Sequence, residues 1–167
     1  GSGAIAITTS MRCPTLNMKA IDISSEALAV AKANAQKLKA DRVTFFEADY
    51  RDIQNLAFGT YQAILANPPY ISRDEYSALE PSVKQEPKLA LIAEDAGIQM
   101  IRYCIEFASA HLEIGGHFFC EIGYTQSSMV KQLVELEKNL EWVKIMKDFN
   151  NHPRLVIVKK YNGLYCY

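Results

Sequence analysis

Apolar runs of strand length alternate with apolar periods of helical length along most of this chain, and that alternation limits the fold more than any other feature. Residues 16–23 (LNMKAIDI) read as a strand ending in an acid. A helix follows at once: Ser24 and Ser25 can cap it, Glu26 suits the positive end of its dipole, and Leu28, Ala31, Ala35 and Leu38 recur at helical spacing. Residues 42–46 (RVTFF) form a second strand with Asp49 just beyond it, and 61–65 (YQAIL) a third that runs into Asn67. Three successive strands thus end in polar residues. From Ile98 the helical period resumes, with Ile98, Ile101, Ile105, Ala108 and Leu112 on one face, and Gly115-Gly116 is expected to close that unit before the strand HFFCEI. A further helix fits 126–139, with Met129, Leu133, Leu136 and Leu140 on its apolar side. The last two strands, WVKIM and RLVIVKK, are joined by the turn-rich KDFNNHP and read as an antiparallel hairpin. The pattern predicts an α/β fold: a mostly parallel sheet, helices on both faces, and a C-terminal antiparallel hairpin at one edge.

With 167 residues, 49% of them hydrophobic, the chain has enough apolar content for one core and little room for two, so a single domain over 1–167 is expected. Eighteen Lys and Arg face nineteen Asp and Glu, a net charge of -1, so no basic field draws the chain to nucleic acid or to a membrane. Stable nucleic-acid binding is therefore not expected. Cys13, Cys104, Cys120 and Cys166 show no C-x-x-C spacing and lie far from the histidines, which argues against a metal site. Scattered thiols of this kind fit a reducing compartment such as the cytoplasm. No apolar run approaches a membrane span, and no signal peptide opens the chain. Nothing in the sequence points to an oligomeric state.

In parallel α/β sheets, ligands gather outside the carboxyl ends of the strands, so Asp22, Asp49 and the turn after the third strand are expected to meet at one crevice. Gly1-Ser2-Gly3 precedes AIAI, where a glycine turn would open a helix and let a ligand approach the backbone; the alternative is a cloning scar. Asp22, some twenty residues on and followed by Ile23, can accept bonds from both ribose hydroxyls of a nucleoside cofactor. Its bland alternative is a helix-flanking acid. Asp49 is placed to receive an adenine amino group, with Ala48 and Tyr50 shaping the wall, or is a surface acid.

The most specific stretch is Asn67-Pro68-Pro69-Tyr70. Two prolines remove two amide donors and fix two φ angles, more constraint than a turn needs. The Asn67 side-chain oxygen and the Pro68 carbonyl can each accept one hydrogen of an amino group, and Tyr70 offers an aromatic surface for a planar amide or base. Residues 71–97, mostly polar with Pro81, Pro87 and Gly97, read as a functional loop. Glu121 and Gln126 flank Gly123; a buried Glu121 would need a partner to offset its desolvation, and it reads rather as a structural anchor for the adjacent loop. His111, His117 and His152 lack a nearby nucleophile and read as solvated or core histidines, and Arg154 as structural though within reach of the crevice.

Taken together, GSGAIAI, AIDIS, ADY, NPPYI, EPKLAL, AEDAG, GGHFFCEIGYTQ and DFNNHPRLVIVKK resemble the S-adenosylmethionine-dependent methyltransferases, specifically the HemK or PrmC type that methylate a glutamine of peptide-chain release factors. The resemblance covers almost the whole chain. It implies a Rossmann-like class I methyltransferase fold, S-adenosylmethionine as cofactor and a release factor as protein substrate. It also implies that Asn67, Pro68, Pro69 and Tyr70 are catalytic, and that Gly1, Ser2, Gly3, Asp22, Ile23, Asp49, Tyr50 and Asn67 bind the cofactor. Asn-Pro-Pro-Tyr is shared with enzymes that methylate the adenine amino group of DNA or RNA, whereas EPKLAL and EIGYTQ favour the glutamine branch. One departure is large: the family's first strand, ending in an acid, and the helical domain before it are missing ahead of Gly1. That strand would lie centrally, between those ending at Asp22 and at Asn67. The chain is thus expected to be a fragment of a longer enzyme, and the remaining reading is a truncated, inert binding module.

Overall fold

The computed structural model describes residues 1–49, 59–81, 83–85, 87–93 and 95–162. Tyr50, Glu86, Glu94 and Cys166 lie outside the described residues. The chain divides into two compact units, Gly1–Leu56 and Ala57–Tyr167.

The first unit runs α1 (Ala4–Arg12), β1 (Met18–Asp22), α2 (Ser25–Leu38) and β2 (Val43–Glu47). The two strands are parallel, in register from Met18 opposite Val43 to Asp22 opposite Glu47, so α2 is the crossover that parallel pairing requires. Ser24 caps α2: its backbone is extended, and its Oγ accepts the Ala27 N–H at 3.1 Å. Leu28, Ala31 and Ala35 form the buried stripe of α2. Leu38, expected on that stripe, is 47% exposed, because Lys39 turns left-handed and ends the helix there. Among the described residues Ile7, Ala35 and Ala40 form a cluster with Val43 and Phe45 alongside, and Ala6, Leu28 and Ala31 are buried too.

The second unit contains β3 (Tyr61–Ala66), α3 (Arg73–Ser77), α4 (Lys88–Leu91), α5 (Gln99–His111), β4 (Leu112–Glu121), α6 (Ser127–Leu136), β5 (Leu140–Lys147) and β6 (Pro153–Lys160). Its sheet has the order β3-β4-β6-β5, with β3 and β4 parallel and β6 antiparallel to both neighbours. The expected hairpin is present, and its last strand is the inner one. Among the described residues β1 pairs only with β2, and β3 only with β4. Ile98, Ile101, Ile105, Ala108 and Leu112 are all buried, as their spacing predicts, and pack with Phe118 and Cys120 of β4 and Val156 and Val158 of β6. Full burial of one such side chain contributes about 1.5–3 kcal/mol. Burial also pushes the Cys104 thiol up to about 12 and the Cys120 thiol well above its usual range, so both stay protonated.

Three local expectations change. Gly115-Gly116 does not end the helix: α5 stops at His111, and the glycines lie inside β4, where Tyr61 pairs with Leu112 but Ala63 with His117. The surplus residues bulge out, with Gly115 at φ +86°. In α6 the buried residues are Val130 and Val134, while Met129 and Leu136 are 38% and 75% exposed; the helix ends at Leu136 and Leu140 belongs to β5. The stretch 71–97 is not an irregular loop. It holds α3, α4 and 3₁₀ turns at Val83–Gln85 and Asp95–Gly97.

Candidate active site

Both units present sequence-selected residues at the carboxyl ends of their parallel strands. In the first, Gly3 caps α1 at φ +78°, and a Cβ there would stand 3.0 Å from Ala31 Cβ and 3.0 Å from Ile7 Cδ1. Only glycine fits so close to α2 with that backbone. The Ser2 carbonyl accepts a bond from Asn34 Nδ2 at 3.0 Å, which ties the glycine turn to α2. Asp22 ends β1; its Oδ1 accepts the Ser24 N–H at 2.9 Å and its Oδ2 meets the Gly1 amino group. The Ala48 N–H reaches the Asp22 carbonyl at 3.1 Å, extending the β1–β2 ladder by one rung, and half-buried Asp49 follows. Ile23 is 42% exposed beside them. Gly1, Ser2, Gly3, Asp22, Ile23 and Asp49 therefore gather at one end of the β1–β2 pair.

In the second unit β3 delivers Asn67, Pro68, Pro69 and Tyr70 directly from the sheet, with Ala66 paired to Cys120 of β4. Pro68 is buried, Pro69 and Tyr70 half-buried, and Asn67 exposed. Among the described residues the Asn67 side chain makes no hydrogen bond. Tyr70, by contrast, is held from several sides. Its hydroxyl donates to Glu121 Oε1 at 2.9 Å, and its carbonyl accepts from Gln126 Nε2 at 2.9 Å. The next amide, Ile71 N–H, donates to the Leu91 carbonyl at 3.0 Å, and the Ile71 carbonyl accepts from Ala93 at 2.9 Å. Gly97, at φ +80°, closes against the same spot: a Cβ there would lie 2.0 Å from the Tyr70 oxygen and 2.7 Å from Gln126 Nε2. Leu91, Ala93, Gly97, Glu121, Gly123 and Gln126, from the segments singled out in the sequence, are thus parts of one clamp around the turn.

Gln126 is the least expected member. It is 3% exposed, and its Oε1 accepts the Gly123 N–H at 2.9 Å while its amide donates to Tyr70. The anchoring reading of Glu121 matches its bond from the Tyr70 hydroxyl, while the role of Gln126 was not expected. The sequence signal was the G-x-x-Q spacing, which lets a side-chain amide fold back onto a backbone N–H three residues earlier.

The remaining candidates lie elsewhere. His111 stacks on Phe107, with its Nδ1 2.9 Å from the Gly59 carbonyl, and His117 stacks on Phe119. In the β5–β6 turn, Asp148 Oδ1 accepts the N–H groups of Asn150 and His152, and its Oδ2 accepts Arg154 Nε at 3.0 Å. The His152 N–H, followed by the Arg154 guanidinium, holds the Asp148 carboxyl below its usual range. Arg154 also lies over the Tyr124 ring, 5.7 Å from its centre, and is structural as expected. Among the described residues no three His, Cys, Asp or Glu are placed to hold a metal. No described helix is long and apolar enough to cross a membrane.

Known proteins resemble this arrangement. The chain is 35% identical over 160 residues to the release factor glutamine methyltransferase of Enterococcus faecalis, covering 95% of this chain and 57% of the relative. It is 36% identical over 143 residues to the ribosomal protein uL3 glutamine methyltransferase of Xanthomonas campestris, covering 86% of this chain and 45% of that one. The chain thus spans about half the length of these curated relatives. Its fold matches the crystal structure of TrmN from Thermus thermophilus with a TM-score of 0.69 at 20% identity, over 96% of this chain and 41% of that one. Gly3, Asp22 and the Asn67–Tyr70 turn all fall within residues 1–88, which match the methyltransferase small domain, and this chain belongs to that family.

Proposed function

We propose that residues 1–167 act as one catalytic domain that methylates a glutamine side-chain amide of a peptide-chain release factor in the cytoplasm, with S-adenosylmethionine as methyl donor. The observation that carries this reading is the Asn67 turn: rigidly held through Tyr70, yet with the Asn67 amide exposed and unbonded among the described residues. The two glutamine methyltransferases at 35% and 36% identity support the choice of acceptor.

The first unit suits the cofactor. Gly3 brings a bare backbone close to α2, and Asp22 places a half-buried carboxylate at a strand end, an acceptor matched to the two hydroxyls of a ribose diol. Gly1, Ser2, Gly3, Asp22 and Ile23 would hold the sugar and methionine side, and Asp49 and Tyr50 the adenine. When bound, S-adenosylmethionine supplies a methyl group activated by a sulfonium.

The second unit suits the amide. An amide nitrogen is a poor nucleophile because its lone pair is delocalised into the carbonyl. Asn67 Oδ1 and the Pro68 carbonyl accept its two N–H bonds and fix the direction of that pair, while Pro69 stiffens the turn and the Tyr70 ring supports the amide plane. Alignment of this kind can lower a barrier by about 7–11 kcal/mol. No strong base is needed, because the methylated amide sheds its proton late, to solvent.

The test is to incubate the full-length protein with labelled S-adenosylmethionine and, separately, a release factor, a ribosomal protein of the uL3 type and adenine-containing DNA. Mass spectrometry of the digests is expected to place the methyl on a glutamine amide of the release factor. Label on the ribosomal protein alone would keep the reaction and change the substrate; label on adenine alone would refute the proposal.

A further inference from the structure

We infer that Gln126 is a positioning residue for methyl transfer, setting the angle at which Asn67 and Pro68 meet the substrate amide; this rests on the function proposed above. Gln126 bonds to the Tyr70 carbonyl, three residues beyond Asn67. Its position relative to the turn carries the argument.

The turn has two fixed ends. At the entrance, β3 is in register with β4 up to Ala66 opposite Cys120. At the exit, the peptide unit between Tyr70 and Ile71 has both polar groups engaged: the carbonyl by Gln126 Nε2 at 2.9 Å, and the N–H by the Leu91 carbonyl at 3.0 Å. Between the ends stand two prolines with fixed φ, so a rotation of the exit peptide is transmitted along the turn rather than absorbed. Gln126 can hold that peptide because it is itself held. Its Oε1 is taken by Gly123 at 2.9 Å, its carbonyl starts α6 by accepting the Val130 N–H at 2.9 Å, and the side chain is 97% buried, from an exposure of 3%. The Gly97 backbone fits against the same junction with no room for a Cβ. A loss of the Gln126 amide therefore removes the hydrogen bond that holds the Tyr70 carbonyl from the α6 side.

The chemistry of the amide makes a discriminating test possible. Gln126→Met keeps the length and apolar volume but removes the side-chain hydrogen bonds to Gly123 and Tyr70. Gln126→Glu keeps the shape; its protonated carboxyl can donate to Tyr70 and accept from Gly123, whereas the ionised carboxylate faces the Tyr70 oxygen with a negative charge. Burial raises a carboxyl, to about 8–9 in documented cases.

The experiment measures kcat, KM for the release factor and cofactor affinity of the full-length enzyme and both variants from about pH 9 to about pH 6, below each variant's melting temperature. We expect kcat of Gln126→Met to fall by between about 10- and 100-fold, with cofactor affinity and KM changed little. The ratio of Gln126→Glu to wild-type kcat should rise as pH falls, while the Gln126→Met ratio stays flat. If Gln126→Met does not fold, the Gln126→Glu profile decides alone. A flat Gln126→Glu ratio, or folded variants with wild-type kcat, would overturn the inference while leaving the proposed function intact. A wild-type enzyme that methylates no glutamine would instead remove the function on which it rests.

Discussion

Among the described residues of Gly1–Leu56 the buried cluster is Ile7, Ala35 and Ala40, with Ala6, Leu28 and Ala31 also buried, beside a pair of strands. In Ala57–Tyr167 it holds thirteen residues, led by Phe118, under four strands. The contrast follows the chemistry each unit is assigned. A nucleoside cofactor is recognised by hydrogen bonds to its own polar groups, and binding it stabilises whatever binds it by mass action. An amide that must be aligned for displacement receives no such tolerance, because an error of about 1 Å can cost about 100-fold in rate. On the proposed reading, the thicker core lies in the unit that would aim the amide, and the thinner one in the unit that would grip the cofactor.

The comparison can be broken by mutation. The largest effect expected is from Phe118→Ala, which empties the centre of the larger core and should cost about 3–5 kcal/mol by chemical denaturation of the full-length protein. Next is Asp22→Ala, expected to weaken S-adenosylmethionine by about 1–3 kcal/mol in calorimetry, with turnover at saturating cofactor nearly intact. Unchanged affinity would remove Asp22 from the site. The smallest is Ile7→Val, expected to cost only about 0.5–1.5 kcal/mol, an effect that added cofactor should offset. If Ile7→Val proved as damaging as Phe118→Ala, the assigned contrast would fail.

Much of the frame was legible because local rules and burial agreed. Ser24 capped α2 as its side chain predicts, the isoleucine stripe of α5 was buried at every expected position, and the turn-rich segment around Asp148 closed the hairpin. The misses occurred where tertiary contacts chose between local options. Helix α6 carries two apolar stripes one position apart, and β5 and β6 buried Val130 and Val134 rather than Met129 and Leu136. Gly115 read as a helix stop but served a bulge in β4, since either use requires the same positive φ. At the candidate site, Asn67 and Asp22 were readable from their places at strand ends. The role of Gly97 was not, because a glycine's fit against the Tyr70 carbonyl depends on a contact across 27 residues of chain that no local pattern encodes.

The most direct test of this division of labour is single-turnover methyl transfer by the full-length Asn67→Ala variant, with cofactor affinity measured on the same sample. The account predicts a rate lower by about 100-fold or more and an S-adenosylmethionine affinity within a factor of about two of wild type, because Asn67 aligns the amide and the cofactor's grip lies with the residues around Asp22. A variant that loses cofactor affinity in step with its rate, or one that transfers methyl groups at the wild-type rate, would contradict it.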